Sequence, residues 1–235
     1  MTLDTLKNRI TQYLKSDAWH RPKQLNVLEN LWSHLPNSVI FGGMIRDFSL
    51  DLAREFHSDI DIVTLGSSKK LESVLRPYSP TKNKFGGYRF QSHGYVYDVW
   101  SLNDTWAVKN KLIVANDFQD LCKTTFFNLD AIALDYKEKV IYTAPCFEEG
   151  LYKKNLEINF PEHPHPSKMA KRAIYVAAKK QLSIGPDLAK YILQNIKLGA
   201  NDSFYLRIKE SLEKHVKHNP TKEFTPLEQL SLDIH

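Results

Sequence analysis

The segment Asp59-Ile60-Asp61-Ile62-Val63 places two carboxylates one residue apart in an apolar stretch, shortly after a glycine pair, Phe41-Gly42-Gly43. On an extended strand, residues i and i+2 point to the same face. Asp59 and Asp61 therefore project side by side while Ile60, Ile62 and Val63 anchor the strand in a core. Two carboxylates this close repel each other unless positive charge lies between them. A divalent cation is the usual counter-charge, and phosphoryl transfer the usual reason to hold one.

The elements around this pair are legible from periodicity. Leu3, Leu6, Ile10 and Leu14 recur at helical spacing, as do Leu25, Leu28, Leu31, Trp32 and Leu35, so two amphipathic helices open the chain. Ser38 to Phe41 is a short apolar strand ending at the glycine pair, and Ile45, Phe48 and Leu52 mark a helix after it. A strand over Ile60 to Leu65 precedes a helix over Lys69 to Arg76 that Pro77 stops. Phe85 to Gln91 and Tyr95 to Leu102 read as strands joined around Ser92-His93-Gly94. Leu129 to Leu134 and Val140 to Tyr142 form a further pair around Lys137-Glu138-Lys139. Ser167 to Leu182, Pro186 to Ile196 and Asp202 to Lys217 then read as three helices, with a short tail introduced by Pro220, Thr225 and Pro226. The expected fold is α/β (α+β). A head with a small mixed sheet and two N-terminal helices covers 1–160, and a helical segment with a short tail covers 161–235. The boundary is placed near Pro161-Glu162-His163-Pro164.

A length of 235 residues suffices for a catalytic domain with a helical appendage. No apolar run approaches a membrane span. Asp4, Lys7 and Arg9 make the N-terminus a helix rather than a signal peptide. Cys122 and Cys146 form neither a metal nor a disulfide pattern, so a cytoplasmic setting is the default. Residues 166–235 carry 12 Lys and Arg against 7 Asp and Glu, whereas the rest of the chain balances. That excess reads as a solvated helical surface, or as a footprint for a polyanion such as RNA.

A strand that runs into Gly42-Gly43 and then a helix exposes backbone N–H groups suited to a triphosphate, and Arg46 could add a charge-assisted contact. Asp47 would orient Arg46 or cap a loop. A Gly-Gly alone is an ordinary turn, and an Asp-x-Asp alone a pair of solvated acids. Their order and spacing beside apolar strands join them into one site. Asp98 lies in Tyr95-Val96-Tyr97-Asp98-Val99-Trp100, which is too apolar for a solvated loop. It is either an edge residue facing water or a third carboxylate that completes a metal site and takes a proton from an attacking hydroxyl. Lys82, Lys84 and Arg89 flank Phe85-Gly86-Gly87-Tyr88 and form a basic hairpin edge or contact phosphate. Trp100 and Trp106 pack in the core or stack on a base. His163 and His165 lack acidic or cysteine companions and read as linker residues.

Phe41-Gly42-Gly43-Met44-Ile45-Arg46-Asp47 followed by Asp59-Ile60-Asp61-Ile62-Val63-Thr64 resembles the signature of the bacterial-type tRNA CCA-adding enzymes and poly(A) polymerases, within the polymerase-β-like nucleotidyltransferase superfamily. The resemblance continues at Leu129-Asp130-Ala131-Ile132-Ala133-Leu134-Asp135, similar to the strand of the family's second motif. It continues again at Arg172-Ala173-Ile174-Tyr175-Val176-Ala177-Ala178, similar to the first helix of the family's neck domain. Thr124-Thr125-Phe126-Phe127-Asn128 stands where the family carries an Arg-Asp pair, and the neck's acidic-acidic-x-x-Arg motif has no clear counterpart. The loop between Arg46 and Asp59 is somewhat longer than the family's. The family's body and tail are missing, so the resemblance implies a minimal form.

The resemblance implies a polymerase-β-like head followed by a neck-like segment. It implies a nucleotidyltransferase that moves NMP from an NTP to an acceptor hydroxyl with release of pyrophosphate. Asp59, Asp61 and Asp98 would be catalytic and would bind two Mg²⁺ ions, or Mn²⁺. Gly42, Gly43, Arg46, Asp130, Lys168 and Arg172 would bind the nucleotide, Lys168 and Arg172 lying one turn apart on the neck helix. The implied acceptor is an RNA (tRNA-like) 3′ end. Two alternatives stand beside it. One is NMP transfer to a protein or small molecule, as in a toxin or resistance enzyme. The other is an inactive nucleotide-binding module, against which the intact acidic triad argues. Oligomeric state is not readable from the chain.

Overall fold

The computed structural model describes residues 2–16, 21–52, 56 and 59–226. The end of the expected tail (227–235), Ser58 beside the acidic strand and most of the loop between Leu52 and Asp59 lie outside the described residues. The chain divides into two compact units, one of residues 1–125 with 130–144, the other of 126–129 with 145–235.

The first unit opens with α1 (Leu3–Lys15), α2 (Arg21–His34), β1 (Ser38–Phe41), α3 (Gly43–Ser49), β2 (Ile60–Thr64) and α4 (Ser68–Leu75). It continues through β3 (Thr81–Lys82), β4 (Tyr88–Ser92), β5 (Tyr95–Ser101), α5 (Trp106–Lys109), α6 (Phe118–Leu121), β6 (Ile132–Asp135) and β7 (Val140–Thr143). Thr2 caps α1 by accepting from the Thr5 N–H at 3.2 Å. Its period-four residues Leu6, Ile10 and Leu14 are buried as their spacing requires. The seven strands form one mixed sheet in the order β3-β4-β5-β2-β1-β6-β7. β2 and β5 are parallel, which needs a crossover. α4 lies in that crossover and buries Leu71 and Leu75.

The β4–β5 hairpin turns on His93 (φ 49°) and Gly94 (φ 83°), the left-handed pair a two-residue loop demands. Burial then alternates: Tyr88, Phe90, Tyr97 and Val99 are buried, while Arg89 and Gln91 are exposed and Val96, Asp98 and Trp100 half-buried. The registers carry one row of partners across five strands: Ala133, Phe41, Asp61, Asp98 and Arg89. The strand expected from Leu129 starts only at Ile132, because Asn128–Asp130 form a 3₁₀ turn. The strand expected from Phe85 starts at Tyr88, because Asn83 to Gly87 close a tight turn.

The second unit holds α7 (Pro145–Lys153), β8 (Asn155–Leu156), α8 (Pro166–Lys180), β9 (Ser183–Ile184), α9 (Pro186–Asn195) and α10 (Ser203–His218). The division at 144/145 differs from the sequence boundary near 161 for a hydrogen-bonding reason. β8 pairs in parallel with β9, and the Asn159 N–H donates to the Phe126 carbonyl at 2.8 Å, which ties 145–160 to the helices that follow. Glu157 is the centre of this unit. Its carboxylate accepts from the N–H groups of Ile158 (2.7 Å), Leu188 (2.7 Å) and Asp187 (3.1 Å), and so satisfies the exposed donors at the start of α9. Burial pushes its pKa up, while those three donors oppose the shift.

Gly185 makes room for that carboxylate, since a Cβ there would stand 2.7 Å from Glu157 Cδ. Three hydrogen bonds pin the carboxylate, so it has no cheap way to retreat. Gly185→Ala should therefore cost about 1–3 kcal/mol, the scale of leaving buried polar groups unpaired, read as a lower urea midpoint with an unchanged slope.

Candidate active site

β2 and β5 lie side by side in register, with Asp61 opposite Asp98. Directly opposed residues share a face, so these two carboxylates project together. Asp59 immediately precedes β2 and stands two residues from Asp61, on the same side. Arg89 faces Asp98 from β4. Its guanidinium donates to Asp98 Oδ1 at 2.9 Å, to Asp98 Oδ2 and to Asp59 Oδ2 at 2.6 Å. The hydrogen bond to Asp98 is the largest cause that raises the Arg89 pKa. Desolvation opposes it, and the charges of Asp98, Asp59 and Asp61 reinforce it. Asp59, Asp61 and Asp98 thus act together on one cationic group. The side chains of Arg89 and Asp59 are 56% and 40% exposed, so this face is open to solvent.

Among the described residues, no group of three or more His, Cys, Asp and Glu side chains stands gathered to hold a metal ion. Arg89 bridges Asp59 and Asp98 instead. The donor set nevertheless suits a divalent ion, because the groups are hard carboxylate oxygens and two of them already share a single cation.

The glycine pair follows Phe41, whose row partner is Asp61, so it lies at the Asp59 end of β2. Gly42 has φ 63° and ψ −115°, a conformation glycine alone adopts readily. Its N–H is not free for phosphate, since it donates to the Ile132 carbonyl at 2.9 Å. Gly43 is the more exposed of the two.

Arg46, expected at the phosphate, is turned inward. It is 5% exposed, and its Nε donates to Asp47 at 2.9 Å while its Nη1 donates to Asp130 at 2.5 Å. Burial alone would push the guanidinium pKa down, but Asp130 and Asp47 outweigh it and hold it up. Asp130, expected on a strand and near the nucleotide, is instead the end of the 3₁₀ turn before β6 and the acceptor for Arg46. These residues form a charged peg that joins α3 to β6, under the glycine turn. Lys168 and Arg172 belong to the second unit, exposed and one turn apart on α8. Lys82 and Lys84 are exposed beside the hairpin.

The residue that sequence reasoning undervalued is Arg89. A two-residue loop at His93-Gly94 forces Ser92 opposite Tyr95, and counting back puts Arg89 opposite Asp98. The register was therefore encoded in the turn.

No protein-family model and no curated protein matches this chain. Its fold is similar to that of the Thermotoga maritima CCA-adding enzyme complexed with tRNA, at 17% identity and TM-score 0.60 over 99% of this chain and 53% of that one. It is similar to a CCA-adding enzyme in complex with CTP, at 17% identity and TM-score 0.58 over 94% and 52%. It is also similar to the Bacillus stearothermophilus CCA-adding enzyme in complex with CTP, at 18% identity and TM-score 0.52 over 73% and 42%. The chain spans about half or less of the length of these structures. The likeness establishes the fold, an α/β architecture with a mixed sheet shared with the CCA-adding enzymes.

Replacing Arg46 by Ala leaves Asp47 buried and Asp130 half-buried without their cation. The expected cost is about 3–5 kcal/mol, the penalty for breaking a buried ion pair from one side. Asp130→Asn should cost less, because Asp47 still compensates the guanidinium. Chemical denaturation of the two variants checks the order.

Proposed function

We propose that this chain is a metal-dependent nucleotidyltransferase that moves NMP from an NTP to the 3′ hydroxyl of an RNA, in a cytoplasmic setting. The observation that carries the reading is that Asp59, Asp61 and Asp98 share one face of the sheet, at the end where Gly42 and Gly43 follow β1. Asp59, Asp61 and Asp98 would hold two Mg²⁺ or Mn²⁺ ions, which supply Lewis-acid charge at the α-phosphate and ease deprotonation of the acceptor when bound. The fold likeness to CCA-adding enzymes supports the same reading.

The chain's own contribution is placement and charge. The turn at Gly42-Gly43 brings backbone close to the phosphate tail without a Cβ in the way. The peg of Arg46, Asp47 and Asp130 fixes that turn against β6, so Arg46 is a positioning residue. Asp98, in register with Asp61, takes the proton of the attacking hydroxyl. The acceptor oxygen bonds to the α-phosphorus, the bond from that phosphorus to the bridging oxygen breaks, and pyrophosphate leaves with its electron pair. Little covalent chemistry falls to the protein, so rate depends on alignment and on stabilising charge. Lys168 and Arg172, exposed on α8 of the second unit, carry charge suited to a nucleotide or an RNA backbone.

Purified protein incubated with Mg²⁺ and each α-labelled NTP, with total RNA or with protein extract, should transfer label to an RNase-sensitive band. Label in a protease-sensitive band instead overturns the RNA acceptor. No transfer to either overturns the transferase reading. Asp59→Asn, Asp61→Asn and Asp98→Asn should each lower transfer by about 100-fold or more, with circular dichroism unchanged.

A further inference from the structure

Beside the acids lies a cleft of about 220 Å³ that the reading above does not use. Asp61 and Asp98 form its acidic edge. The rest is lined by Phe85, Trp100 and Trp106, with Asn83, Asp104 and Thr105 between them. Three aromatic rings bounded by a few polar groups suit a flat heteroaromatic ligand.

The walls are held in place by their own hydrogen bonds. Asn83 Oδ1 accepts from the N–H groups of Phe85 (2.9 Å) and Gly87 (3.1 Å), which closes the turn on itself. Gly86 has φ 108°, and a Cβ at Gly87 would stand 3.1 Å from Trp100 Cβ, so the turn sits tightly against the base of that side chain. Trp100 Nε1 donates to Thr105 Oγ1 at 3.1 Å. Asp104 accepts from Ser68 Oγ at 2.6 Å and lies 3.5 Å from Lys109 Nζ, which also donates to the Phe85 carbonyl at 2.8 Å. A cleft with fixed walls loses little freedom when it is filled.

Its position selects the occupant. In the sheet, β1 leads to the glycine pair, β2 and β5 carry the acids, and β5 with the turn before β4 borders the cleft. The glycine turn and the cleft therefore lie on opposite sides of the carboxylates. In phosphoryl transfer the attacking and leaving oxygens stand roughly in line across the phosphorus. If pyrophosphate leaves toward Gly42 and Gly43, the attacking hydroxyl comes from the cleft side. Lys84 Nζ lies 5.0 Å from the centroid of the Phe85 ring and Lys109 Nζ donates to the Phe85 carbonyl, so positive charge borders that side and complements a polyanionic backbone.

We infer that this cleft seats the base of the acceptor's 3′-terminal nucleotide, stacked on Trp106 and Phe85, so that its ribose hydroxyl reaches Asp98. The inference rests on the transferase reading and names the acceptor side of that site. Trp106, at the start of α5, is the residue the test varies.

The test measures binding and needs no turnover. A fluorescein-labelled short single-stranded RNA is titrated with wild-type protein, Trp106→Leu and Trp106→Phe, and anisotropy is followed. A second RNA lacks only its 3′-terminal base. Trp106→Leu should weaken binding of the intact RNA about tenfold, the scale of one lost stacking contact, and Trp106→Phe should recover most of it. Removal of the terminal base should cost wild-type protein a similar factor and cost Trp106→Leu almost nothing. Equal binding of the two RNAs by wild-type protein, or no RNA binding at all, overturns the inference. So does a base effect of the same size in Trp106→Leu, which would mean that the indole only supports the fold. Because these curves require no catalysis, their failure is distinct from a failure to transfer label.

Discussion

The ion pairing of Arg89 with Asp59 and Asp98 is the interaction on which the face of this sheet depends. Parallel pairing of β2 with β5 puts Asp61 and Asp98 opposite each other, and like charges directly opposed on neighbouring strands are destabilising. Asp59 adds a third negative charge nearby. A guanidinium from the next strand compensates them: Arg89 and Asp59 remain largely in water, while Asp98 is mostly covered and desolvation works against the guanidinium charge. The hairpin that delivers Arg89 is as much a part of the site as the acids are.

Arg46 shows the opposite arrangement. Here Arg46 and Asp47 are withdrawn from water and Asp130 is half-buried beside them, so the guanidinium is held by both carboxylates. The same residue types thus serve two ends within one unit. One set, with Arg89 half in water, sits over the strands, and the other, with Arg46 buried, supports the turn.

What the sequence could disclose followed from local rules. Period-two and period-four spacings located most strands and helices, because burial of one face imposes those periods. The common side of Asp59 and Asp61 followed from pleat geometry alone. The Asp98 partnership with Asp61 needed the strand order, which local spacing does not contain. The burial of Arg46 depends on Asp130, 84 positions away, so no local pattern announces it. α7 was hidden because Gly150 leaves a gap in its apolar spacing, and a Cβ at that glycine would stand 3.0 Å from the Asn128 Cγ. β8 and β9 are two-residue strands that leave no periodic trace. The boundary near 161 rested on a proline cluster, whereas the units are divided by which backbone groups pair.

Glu157 carries a consequence for how the second unit opens. One carboxylate receives the backbone protons of Ile158, Asp187 and Leu188, which come from two separate stretches of chain. Displacing that side chain uncovers all three amides in a single event. Their hydrogen–deuterium exchange would then be governed by one shared opening equilibrium, and the ends of β8 and α9 would behave as a single cooperative element rather than fraying independently.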